Sequence, residues 1–142
     1  VVIPRSVLAI IGSWLIAHCI KYAIAASTQA ARPNLRRQLF ISGGMPSSHA
    51  AISWAVWVVV VMSDGIHSSA AGIATLVALI FCYDAVKVRR SSGEQGEAIA
   101  QIIDKSGLSV AKPRAARGHT PLEVCAGATL GLIVGYVVFY IT

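Results

Sequence analysis

Ser42-Gly-Gly-Met-Pro-Ser-Ser-His49 runs directly into Ala50-Ala-Ile-Ser-Trp-Ala-Val-Trp-Val-Val-Val-Val-Met62. Small residues and a proline break the chain, two serines offer a helix cap, and thirteen almost wholly apolar residues follow. That order predicts the N-terminal end of a buried helix starting at Ser47 or Ser48, with unpaired backbone N–H groups able to hold an anion. His49 stands in the first turn, where an imidazole can donate a proton to a leaving group or a phosphate oxygen. The same arrangement recurs at Gly118-His-Thr-Pro-Leu-Glu123, which opens a second long apolar run. Ordinary helix capping explains either segment alone. Two histidines at two helix starts suggest a phosphate site.

Composition sets the surroundings. Apolar residues make up 56% and charged ones 13% of the 142 residues, and mean hydropathy is +0.69. A water-soluble domain carries about 25% charged residues, so most of this surface must meet lipid. The expected fold is all-α, a single membrane-embedded domain covering 1–142, with about four transmembrane helices plus a short interfacial helix. The first helix runs from about Ser6 to Ala26 and the second to about Met62. The third runs from Ser69 to Val88, stopped by Arg89-Arg-Ser-Ser-Gly93. The fourth runs from Thr120 to Ile141. Between the last two, Ser91 and Glu94 form a capping-box pattern, and Ala98, Ile99, Ile102 and Ile103 share one face of an interfacial segment.

The chain begins Val1-Val2, consistent with trimming or processing, and its first apolar stretch is long enough to span rather than act as a leader. Cys19, Cys82 and Cys125 lie in apolar runs without a C-x-x-C pair and read as small buried hydrophobes. Gly127, Gly131 and Gly135 share one face of the last helix. Close helix packing within the chain and a homodimer explain that spacing equally well.

Four crossings put loops 27–46 and 89–119 on one side. His49, Arg89, Arg90, Arg117 and His119 thereby share one membrane face with nearly all of the basic residues, while Arg5 is opposite; Lys21, near that face, can bind phosphate or simply reach the lipid headgroups. The net charge of +6 and the positive-inside rule make that face cytoplasmic. Recruitment of cations for an anionic substrate would produce the same bias. The basic residues adjoin membrane segments and carry no nucleic-acid motif. The scattered histidines have no metal-ligand spacing. His119 and Glu123 are four apart, one helical turn, yet Thr120-Pro-Leu-Glu123 is equally a helix start with Glu as its cap. Asp84 is costly in an apolar helix unless paired, and Lys87 or Arg89–Arg90 can pair with it. His18 reads as an interhelical hydrogen-bonding residue.

The motifs 42–49, Tyr83-Asp-Ala-Val-Lys-Val-Arg-Arg90 and 118–123 together resemble the divergent branch of the type-2 phosphatidic acid phosphatase superfamily, related to acid phosphatases and vanadium-dependent haloperoxidases. The resemblance covers almost the whole chain. It implies a membrane phosphatase hydrolysing a lipid-linked phosphate or diphosphate through a phosphohistidine, without cofactor or metal. His119 would be the nucleophile and His49 the acid. Glu123 or Asp84 would orient a histidine. Gly44, Ser47, Ser48, Lys21, Arg89, Arg90 and Arg117 would bind the phosphate. Ser48 replaces the glycine of the parent Pro-Ser-Gly-His motif, and Glu123 replaces its aspartate. The arginine of the parent third motif is missing, since position 113 is proline. Lys21 and Arg32-Pro33 are further apart than the first motif requires. The missing third-motif arginine favours a rival, a non-catalytic membrane protein that binds anionic lipid headgroups or scaffolds partners. Halide oxidation ranks last.

Overall fold

A computed structural model describes residues 3–28, 44–113 and 118–142. The described residues form α1 (Arg5–Thr28), α2 (Ser48–Asp64), α3 (Ser69–Tyr83), a π-helical turn (Asp84–Val88), α4 (Arg89–Ser106) and α5 (Pro121–Ile141). They contain no strand. Three helical stretches, Arg5–Thr28, Ser69–Ser106 and Pro121–Ile141, are long and apolar enough to cross a membrane, and Ser48–Asp64 is a shorter apolar helix. The protein is an integral membrane bundle. Its large apolar side chains face outward, as Ile73, Leu76, Ile133 and Tyr140 do, because lipid satisfies them as well as a core would.

The shorter apolar helix, α2, is the centre. α2 packs against α1, α3 and α5, and α1 also touches α5. Small residues make this approach close. A Cβ on Gly135 would fall 2.5 Å from the Ala55 carbonyl oxygen, and Cβ atoms on Gly127 and Gly131 would collide with the carbonyls of Ser47 and Ala51. The glycine stripe is therefore filled by α2 of the same chain. Of the two uses its spacing allows, the fold realises packing within one chain. Next to it lies a core of small apolar residues, Ala9, Ala55, Val59, Val134 and Val138. On the other flank, Trp57 Nε1 donates to Thr75 Oγ1 at 2.8 Å and ties α2 to α3.

The end of the helix that starts at Ser69 departs from expectation. Arg89-Arg-Ser-Ser-Gly93 does not stop the helix, and 94–105 is not a separate interfacial helix. The chain passes through the π turn and continues as α4 to Ser106, where Gly107 at φ 65° ends it. One glycine and two serines weaken a helix by about 1 kcal/mol or less each but do not break it. The capping box at Ser91 is not made. Glu94 instead accepts from Arg90 at 3.1 Å, and Ser91 accepts from Gln95 at 3.4 Å. At about 1.5 Å per residue the unbroken helix of 38 residues is roughly 57 Å long. It therefore extends well beyond an apolar layer of about 30 Å.

Two smaller expectations also change. Cys19 and Cys125 are exposed and Cys82 is half-buried, because in lipid a thiol needs no interior. His18 Nδ1 engages the Trp14 carbonyl oxygen at 2.9 Å, a bond within α1 rather than between helices.

Candidate functional site

Four segments bring ionisable side chains to one end of the bundle. The first is the start of α2. Gly44 turns the chain at φ +82°, a conformation open to glycine, and a cis Met45–Pro46 bond follows. Ser47 then caps α2 through its side-chain oxygen, 3.5 Å from Ala50 N. Ser47 is wholly buried and Ser48 nearly so. The Ser47 backbone N–H donates to the Glu123 carbonyl oxygen at 2.9 Å. That bond fastens the start of α2 to the start of α5.

The second segment is the start of α5. Thr120 and Glu123 form a reciprocal capping box, with Thr120 N donating to Glu123 Oε2 at 2.8 Å. The same oxygen lies 3.3 Å from His119 Nδ1. Capping and histidine orientation are thus one arrangement, carried by a single oxygen rather than divided between two. His119 is 2% exposed. Its backbone N–H donates to the Ala85 carbonyl oxygen at 2.9 Å, so the histidine is fixed at both backbone and ring.

The third segment is the π turn. A wider turn places residues five apart on the same side, where an α-helix would separate them. Arg89 Nε accordingly donates to Asp84 Oδ2 at 2.7 Å, with both side chains about one-third exposed. The pairing partner of Asp84 is Arg89, not Lys87. Gly118 sits against the backbone of Arg90, where a Cβ would meet Arg90 N at 2.5 Å. This contact, together with the Ala85 bond, seats the loop carrying His119 on the turn carrying Arg89.

α1 supplies the fourth element, Lys21, which is 6% exposed despite its charge. Lys21, Arg89, Asp84 and His119 all lie within electrostatic reach of His49. Lys21, Glu123 and Arg89 do so for His119. Burial, then the Lys21 charge, push the His119 imidazole below the usual histidine range, while Glu123 pulls the other way. A neutral ring whose Nδ1 is bound to a carboxylate presents Nε2 with its lone pair outward. His49 packs its ring 6.2 Å from that of Phe81. Its Nδ1 is buried without a partner among the described residues.

Not every expected residue joins the cluster. Arg90 pairs with Glu94 on an exposed face, its side chain 66% accessible, and contributes only backbone to the site. Arg117 lies outside the described residues. Sequence reading also missed two features. The π turn leaves no motif in a run of ordinary helix formers. The close approach at Gly118 has only the glycine itself as a signal.

Residues 4–134 match the model of the Divergent PAP2 family. The chain belongs to that family. A curated relative is YuiD of Bacillus subtilis, described as an uncharacterized membrane protein. It is 32% identical over 114 residues, covering 70% of this chain and 72% of the relative. No solved structure matches the chain. Family membership places the protein in a phosphatase-related superfamily and leaves its reaction to be argued from the site.

Proposed function

We propose that the protein is a membrane phosphatase that hydrolyses a lipid-linked phosphate or diphosphate through a phosphohistidine. The observation that carries this reading is His119, buried, held through Nδ1 by Glu123 and set beside the Arg89 and Lys21 charges. In this reaction His119 Nε2 attacks phosphorus in line with the lipid oxygen. Arg89, Lys21 and the free N–H groups at the start of α2 draw off the charge on the phosphoryl oxygens. Protonated His49 gives its proton to the departing lipid alcohol, or to the departing phosphate of a diphosphate. Water, deprotonated by the now neutral His49, then attacks the phosphohistidine, releasing phosphate and restoring His119.

Arg89 takes the part left vacant by the absent third-motif arginine. It comes from a different segment and is aimed by Asp84. The site lies at a helix end, where a headgroup can enter while its tail remains in lipid. The excess of basic residues on this side supports a cytoplasmic orientation.

The test is phosphate release from a panel of lipid phosphates in detergent by the wild type and His119→Ala, with acid-labile, base-stable labelling from a radioactive phosphoryl donor. Release and labelling that both vanish in the variant are expected. A folded wild type that binds these lipids without releasing phosphate would replace this reading with headgroup binding.

A further inference from the structure

We propose that the helix running from Ser69 to Ser106 is a dimer interface, which pairs in parallel and in register with the same helix of a second copy of this chain. The proposal is independent of the phosphatase reading. Its starting point is the spacing of exposed residues on α3. Ile73, Leu76, Ile80 and Tyr83 recur at intervals of three and four, and each is more than half exposed. In lipid such a stripe needs no cover. Beyond lipid it does. An apolar layer of about 30 Å takes up about 20 residues of helix, so from about Val88 onward the helix stands in water. There α4 shows three different sides. Gly93 and Gly96 are buried on one side, with Ala100 and Ile103 half-buried. Arg90, Glu94, Glu97 and Asp104 share another. Ser91, Gln95, Ala98, Ile99 and Ile102 form the third, all exposed and none charged. Ile99 and Ile102 are 48% and 61% accessible on it. An open, uncharged side with two isoleucines on a helix in water calls for a partner surface.

The repeat says which partner. Residues five apart share a side across a π turn, so the stripe passes from Tyr83 to Val88. It then continues by threes and fours through Ser91, Gln95 and Ala98 to Ile102. The wider turn thus carries one stripe along one side of the whole helix. Alternate positions of the stripe read Ile73, Ile80, Val88, Gln95 and Ile102, β-branched in all but one. The positions between them begin with Leu76 and Tyr83 and end with the smaller Ser91 and Ala98. β-Branched residues at the first position with leucine at the second favour a parallel two-stranded coiled coil, and a single polar residue at the first sets its register. Two copies in one bilayer share an orientation, so parallel pairing is also what the membrane imposes. Glu94 is paired with Arg90 and Asp104 with Lys112, off the stripe, so identical helices meet without charge against like charge. Tyr83 and Val88 directly precede Asp84 and Arg89, which sets the interface alongside the turn that aims Arg89.

The experiment uses the full chain in lipid vesicles under mild oxidation, comparing Ala98→Cys, Ile102→Cys and Glu97→Cys. The wild type, with Cys19, Cys82 and Cys125, supplies the baseline. Ala98→Cys and Ile102→Cys should yield a covalent species of twice the chain mass, and Glu97→Cys, on the charged side, should stay at baseline. Ile102→Glu changes an exposed residue outside the bundle core. It should weaken self-association on the order of tenfold, read by energy transfer between labelled chains in the bilayer. Four outcomes each overturn the proposal: no cross-link at Ala98 and Ile102, equal cross-linking at Glu97, a cross-linked product of any other mass, or unchanged association in Ile102→Glu.

Discussion

Replacing Gly127 with alanine tests the link between the helix packing and the site. The added methyl would collide with the Ser47 carbonyl oxygen and lie 3.1 Å from the Ser47 carbonyl carbon and Cβ. At Gly135, the mildest of the three collisions, the new Cβ sits 2.5 Å from the Ala55 oxygen where ordinary contact begins at 3.4 Å. The shortfall between those two values is about 0.9 Å, and at Gly127 it is larger. Backbone on both sides blocks a cheap escape, so the starts of α2 and α5 must separate. That displacement breaks or stretches the 2.9 Å bond from Ser47 N to the Glu123 carbonyl. It also moves His49 away from His119. Overpacking costs about 1–3 kcal/mol, which lowers the unfolding temperature by roughly 3–9 °C. A misplacement of about 1 Å costs on the order of a hundredfold in turnover. Thermal unfolding in detergent and lipid-phosphate hydrolysis give the two readouts. Gly72→Ala is the control, because nothing lies within 4 Å of its new methyl, and it should be stabilising or neutral. A Gly127→Ala protein with wild-type unfolding temperature and wild-type rate would refute the packing argument.

Asp84→Asn should loosen Arg89 and raise KM more than it lowers kcat, with Arg89→Lys giving a larger loss because a single ammonium cannot copy the guanidinium fork. Steady-state kinetics on one lipid phosphate separates the two effects. Thr120→Ala removes one half of the capping box and should cost about 1 kcal/mol of stability, read by thermal unfolding. Glu123→Gln leaves much of the cap but weakens the hold on His119 Nδ1, so turnover should fall further than stability. The pH dependence follows from His119. Its folded pKa is pushed below the usual histidine value by burial first and by Lys21 second. The unfolded chain therefore takes up a proton at a pH where the folded chain does not, so His119 contributes stability that declines as pH falls below the unfolded histidine value. The acid limb of kcat/KM should lie below the ordinary histidine range, and Lys21→Met should move it upward. A limb unmoved in Lys21→Met would show that this charge does not act on His119.

Much of the architecture was legible because lipid imposes a simple rule: an apolar run long enough to cross is read as a helix, and Ser47 and Thr120 mark two of the starts. The same periodicity could not show where the helix starting at Ser69 ends. Arg89-Arg-Ser-Ser-Gly93 looks like a boundary, yet its polar character reflects departure from the membrane rather than the end of the helix. The π turn explains why sequence spacing alone could not assign the charges. Counting by α-helical periodicity makes Lys87 the natural partner of Asp84, at three residues. The wider turn gives the pairing to Arg89 at five and leaves Arg90 to Glu94. Two adjacent arginines that look interchangeable in the sequence are thereby separated, one aimed at the histidines and one turned outward. Comparing Arg89→Gln with Arg90→Gln isolates that distinction, since the two changes are chemically identical and one residue apart. The π-turn geometry predicts loss of phosphate release for the first, read as KM and kcat together, and near wild-type behaviour for the second. Equal losses would mean that the turn does not sort the two arginines, and the site would then have to be rebuilt around both.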